Sequence, residues 1–345
     1  MNPKLFFSTL LLLFALSLFT TCSKDDKDDN DGKETPLADR EQSIKDYQDN
    51  YLGSALSNPN WTGSTTDCIA GSVSSDSHLK VIKRINYFRK LVGLPADITH
   101  NSSQNSKCQE AALYMAKNKT LTHTPINGTP CYTAGCYEAA NHGNIAISYG
   151  GTPDNANHSV NAVSGYMEDP GTGNLAVGHR AWLLHPELKA IGHGSVFIPN
   201  QNNLATNCLM WGGNTGNTPS NMPDFVAYPP ANFIPAPLVF PRWSFSVPNA
   251  NFNSATITMK DESGGNISLN IIHRAPSNVI PGSRIVWEPS GINTSSSSDV
   301  KYTVTISNIS SAPNASYTYE VTILPGADVA KKIQPPSVDF YREIK

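Results

Sequence analysis

Apolar residues recur at three- and four-residue spacing in three stretches of the N-terminal half, and that period predicts helices. The first carries Leu79, Ile82, Ile85 and Phe88, is capped at Asp76 or Ser77, and stops at Gly93. The second runs from about Ser102 to Lys119, with Cys108, Ala111, Ala112, Tyr114 and Met115 on one face. The third covers Asn155 to Tyr166 and runs into Glu168-Asp169, where Pro170-Gly171 ends it. Gly178-His179-Arg180 then opens a short helical run that Pro186 limits. Small and apolar residues at Gly143–Ile147, Ala190–Phe197 and Cys208–Trp211 read as strands. From Trp243 the period changes to two, with alternating runs at 243–247, 255–259, 267–271, 284–287, 301–306 and 316–323. Separated by Gly, Asn, Ser and Pro, these predict a small antiparallel sandwich. The intervening 216–241 turns Gly/Asn/Thr-rich and then Pro-rich and reads as a linker. Residues 35–57 have only a weak helical pattern and read as a loose arm, followed by a loop with Trp61 as its anchor. The fold class is α+β.

The candidate chemistry follows from that layout. Glu168-Asp169 and His179 sit at facing ends of two helical elements joined by a tight Gly-rich connection, so they can converge on one cleft. His123, just past the second helix and before Thr124-Pro125, is in an extended turn. Glu138 lies just upstream of the 143–147 strand. His193 reads as a strand residue at the sheet surface. No Gly-x-Ser-x-Gly stands in the chain, no His-x-x-x-His zinc-protease spacing appears, and no cysteine has surroundings that would lower its pKa.

Four stretches in order, INYFRKLVGLP (85–95), LTHTP (121–125), GNIAI (143–147) and GYMEDPG…GHRAWLL (165–184), resemble the CAP superfamily. This is the fold of cysteine-rich secretory proteins, antigen 5 and class-one pathogenesis-related proteins. The resemblance covers about 61–211 and implies an α-β-α sandwich. It implies that Asn86 and Arg89 fix connecting loops, and that His123, His179 and Asp169 line a cleft. Where many relatives read Gly-Glu-Asn, this chain reads His142-Gly143-Asn144, so Gly143 stands at the usual glutamate position and Glu138 is the nearby substitute. His123 and His179, with the acids, are candidate zinc ligands.

Charge and cysteines add an address. Lys4 followed by the apolar Leu5–Phe19 reads as a signal peptide, too short for a comfortable membrane span. It ends at Thr21-Cys22, which resembles a loose lipobox with Cys22 as the lipidated residue. The 12 residues after Cys22 hold six acids and three lysines and no apolar side chain, as an extended tether would. Such a start resembles the surface-export signal of Bacteroidetes lipoproteins, so the expected place is the outer face of an outer membrane, with periplasmic retention as the alternative. With charged residues at 15 % and a net charge of −3, no basic face for nucleic acid is indicated. An oxidising compartment permits disulfides, and Cys131 and Cys136 could close a small loop.

The expected organisation is therefore signal peptide 1–21, lipidated acidic tether and arm 22–60, CAP domain 61–215, Pro-rich linker 216–241, β-sandwich 242–325 and tail 326–345. The expected function is non-enzymatic binding of a small ligand, lipid or partner protein in the CAP cleft. A metal-dependent hydrolase using zinc with Glu138 or Asp169, and an adhesive surface protein acting through the sandwich, are the alternatives.

Overall fold

The computed structural model describes residues 39–275 and 281–329. The signal peptide, Cys22, the acidic tether and most of the C-terminal tail lie outside the described residues. The described residues begin with helix α1 (Asp39–Asp46), continued by a π-turn over Tyr47–Tyr51. Then follow α2 (Ser75–Leu91), β1 (Thr99–His100), α3 (Asn105–Asn118), α4 (Ala134–Asn141), β2 (Gly143–Ser148), α5 (Ser159–Glu168), α6 (Gly178–Leu183), β3 (Ala190–Ile198) and β4 (Leu204–Met210). The second half supplies β5 (Val226–Tyr228), β6 (Phe233–Pro235), β7 (Trp243–Ser246), β8 (Thr256–Asp261), β9 (Asn266–Ile267), β10 (Leu269–Arg274), β11 (Ile285–Pro289), β12 (Val300–Ser307) and β13 (Tyr317–Leu324).

In the first half, a four-stranded sheet in the order β1-β3-β4-β2 is covered on both faces. Alternation along β3 shows how. A Cβ on Gly194 would lie 2.3 Å from the Cys108 backbone, so glycine there lets α3 press onto the sheet. The neighbouring His193 and Ser195 face the other way, toward His78 of α2 and Ser159 of α5. Helices α3 and α4 thus pack on one face and α2 and α5 on the other. Strand β3 is therefore buried without interruption from Ile191 to Phe197. His193, expected at the sheet surface, is 1 % exposed because α2 covers that face.

The connecting loops are tied down from α2. Asn86 exchanges two hydrogen bonds with the backbone of Ile98, both 3.0 Å. The buried Arg89 donates to the carbonyls of Pro95, Leu183 and His185 at 2.8–3.0 Å. The arm expected to be loose is packed. Tyr47 and Tyr51 are each 1 % exposed and stack at 5.1 Å, and the Arg84 guanidinium lies 3.7 Å over the Tyr51 ring. Two aromatic anchors four residues apart hold down a segment whose other residues are mostly polar. At the start of the same arm, Arg40 binds Asp299 of the second half through Nε and Nη2 and also reaches Asp328.

In the second half, the sheet β10-β11-β7-β5 faces the sheet β6-β13-β12-β8-β9 across a core that includes Trp243, Phe245, Trp287 and Val304. The stretch expected as a linker contributes to both sheets: β5 pairs antiparallel with β7, and β6 pairs parallel with β13. Both are short and lie at sheet edges, where prolines are tolerated. One continuous hydrophobic core joins the halves, with Phe88, Tyr166 and Leu209 in the same cluster as Tyr228, Trp243 and Tyr302.

The disulfide joins Cys68 to Cys131, not Cys131 to Cys136. Cys136 is turned into the core at the start of α4, where its Sγ accepts the Thr133 N–H at 3.3 Å. It remains a buried thiol with Cys108 and Cys208, and burial pushes its pKa up.

Candidate functional site

Helix α5 ends at Asp169, which is in the left-handed conformation (φ 55°) and donates its N–H to the Gly165 carbonyl at 2.7 Å. Pro170 prevents the helix from continuing. A loop with one 3₁₀ turn leads to Val177, also left-handed (φ 44°), and α6 starts there. The Asp169 carboxylate, fully buried, spans this loop. Oδ2 accepts the His179 backbone N–H at 3.0 Å and Oδ1 accepts from His179 Nδ1 at 2.7 Å. The acid therefore fixes the ring as the Nδ1–H tautomer and leaves Nε2 as an acceptor.

His123 is held in the same way by a different partner. Its Nδ1 donates to the Ala140 carbonyl at 2.6 Å, which again leaves Nε2 as the acceptor. Burial lowers the His123 pKa; the Ala140 bond opposes this, and a positive charge on His179 would lower it further. The two imidazoles, 56 positions apart in the chain, thus lie within electrostatic reach of each other. A tryptophan pair stands beside His179. Trp182, one helical turn after His179, stacks on Trp211 with centroids 3.5 Å apart. Trp211 Nε1 donates to Asn144 Oδ1 at 3.2 Å, and Asn144 Nδ2 donates to the His179 carbonyl at 3.0 Å.

Glu138 is not joined to this group. Both its carboxylate oxygens are taken by Lys107 Nζ, at 2.7 and 2.8 Å, across the α3–α4 face. Nor can position 143 carry an acid: a Cβ there would lie 2.7 Å from the Ala139 carbonyl and 2.8 Å from that of Leu209. Glu168 has its carboxyl pushed up by burial, against the pull of Arg180 and Arg242.

Residues 82–211 match the family model of the cysteine-rich secretory protein family. This segment is a CAP domain. No curated protein matches the chain. Zinc fits the CAP cleft poorly. A catalytic zinc takes three protein donors, and here two imidazole nitrogens are open while Asp169 commits both oxygens to His179. Among the described residues no group of three His, Cys, Asp or Glu side chains is placed to hold a metal. What these residues offer is two imidazoles with fixed Nδ1–H tautomers and, next to His179, a stacked tryptophan pair.

Sequence reasoning missed the Trp182–Trp211 wall, although the three-residue step from His179 to Trp182 carries the signal. It also missed a second histidine group. His78 Nδ1 lies 3.0 Å from His193 Nδ1, and His78 stacks on His100 at 4.4 Å. Asn105 Oδ1 bonds both His100 Nε2 (2.8 Å) and the His193 N–H (3.1 Å). Three elements contribute these rings, so no local spacing marks them.

Proposed function

We propose that the chain is an exported surface protein, anchored through a lipid on Cys22, whose CAP cleft binds an amphiphilic small molecule without transforming it. The observation that carries this is the pair of imidazoles whose Nδ1 atoms are both committed to fixed acceptors. Such rings present Nε2 to a hydroxyl or amine donor, and the tryptophan pair takes the apolar body of the same ligand. The carboxylate that would serve a hydrolase is absorbed by Lys107 at Glu138 and by His179 at Asp169. The Cys68–Cys131 bond suits an oxidising compartment. No helix among the described residues is long and apolar enough to cross a membrane.

The test uses the full chain produced with its own leader. Mass analysis of the N-terminal peptide reads lipid on Cys22, and Cys22→Ser releases the protein from membranes. Native mass spectrometry after incubation with long-chain and polycyclic alcohols reads the cleft. Retention by the wild type that is lost in His179→Ala and Trp182→Ala supports the reading, and retention unchanged in both variants overturns it. Stoichiometric zinc that disappears in His123→Ala and His179→Ala would restore the hydrolase.

A further inference from the structure

The loop that carries Asp169 is held from the second half of the molecule. Arg242, just before β7, donates from Nη1 to the Asp169 carbonyl at 2.7 Å and to the Asn174 carbonyl at 3.1 Å. Arg284, just before β11, donates to the Ala176 carbonyl. Arg180 of α6 closes the arrangement from within the CAP domain. Its Nε donates to the Met167 carbonyl at 2.6 Å and its Nη2 to that of Glu168 at 3.1 Å. Its Nη1 reaches across to the Arg242 carbonyl at 2.9 Å and the Ser244 hydroxyl at 3.1 Å. Every carbonyl from 167 to 169, and those of 174 and 176, thus has a guanidinium partner.

The backbone explains why so many donors are needed. The loop begins and ends on left-handed residues, Asp169 (φ 55°) and Val177 (φ 44°). For a β-branched residue that conformation is an outlier, and it persists only where the surroundings over-determine it. Val177 is 1 % exposed and cannot relax into solvent.

We infer that Arg242, supported by Arg284, is a positioning residue of the CAP cleft: the sandwich holds the 169–177 loop so that Asp169 can fix the His179 ring. The sandwich is then part of the site, not a spacer beside it. This rests on the reading of the cleft as the binding site, but the test does not depend on any ligand.

The readouts are the His179 tautomer, from ring ¹⁵N shifts, and hydrogen exchange at the His179 amide, both in the full chain. The wild type is expected to show Nδ1–H and a protected amide. In Arg242→Ala the amide should exchange about tenfold faster or more, and the ring should move toward Nε2–H. Arg242→Lys, which keeps one charged donor, should recover part of both. Should Arg242→Ala fail to fold, Glu288→Gln and Arg284→Ala decide. Glu288 accepts from Arg242 Nε at 3.2 Å from a partly exposed position, so its loss loosens the guanidinium without opening the core. A ring that stays Nδ1–H with unchanged amide protection in these variants overturns the inference. A His179 response without any change in ligand retention would leave the clamp standing and remove the binding reading.

Discussion

The CAP domain holds two groups of histidines, and they are built on opposite terms. In the cleft, His123 and His179 each give Nδ1 to a fixed acceptor, a carbonyl and a carboxylate, and each keeps Nε2 uncommitted. In the seam between α2 and β3, the rings of His78 and His193 satisfy each other, and His193 Nε2 is buried with no hydrogen-bond partner among the described residues. The difference lies in what a proton does. A cleft histidine can meet a ligand with its open nitrogen. A seam histidine cannot accept a proton without placing charge in a dry interior against a neighbour of the same kind.

The sharpest way to break this comparison is acid. Burial pushes His78 down to about 4 and does the same to His158, the fully buried N-cap of α5 that packs on Phe197 of β3, and burial followed by the charges of His78, His100 and His158 pushes His193 well below its ordinary value. For these bases the unfolded chain binds more protons below about pH 6.5, so stability falls as pH drops from about 6.5 toward 4 and is level above that window. Allowing for solvent screening at the half-buried His78, the loss at pH 4 should be about 5 kcal/mol, read from urea midpoints against pH. A flat profile between about pH 7 and 4 would remove the distinction.

Substitution gives the next largest effect. His193→Ala opens a cavity under a central strand and should cost about 3 kcal/mol by chemical denaturation. His179→Ala should cost about 2 kcal/mol, because the buried Asp169 carboxylate loses one of its two partners, while abolishing ligand retention. Equal costs at the two positions would mean that the cleft histidine is a structural residue. Glu138→Gln should be smallest, within about 0.5 kcal/mol and with retention unchanged, because only its ion pair with half-exposed Lys107 is lost.

Local pattern carried much of this architecture. Helices α2, α3 and α5 follow from apolar period, and the turn from Glu168 to His179 follows from Pro170 and the glycines around it. What the pattern hid were pairings between distant segments. Cys131 has a cysteine five residues away and bonds one 63 residues away, because Cys136 is turned from helix α4 into the hydrophobic core. Proline density argued for a linker at 216–241, yet edge strands accept proline, and β5 and β6 are edge strands. The arginines of the sandwich that grip the Asp169 loop leave no trace near that loop in sequence. Lys107 lies 31 positions from Glu138, so nothing local shows that this acid is already paired.

The contacts of Arg40 with Asp299 and Asp328 join the start of α1 to a residue just beyond the last strand. The first helix and the last described residues are therefore neighbours. A circular permutant of the described fold, residues 39–329, should be tolerated: positions near 39 and 329 can be joined by a short bridge and new termini opened at the Ser263–Gly264 hairpin turn, with His123 and His179 left in place.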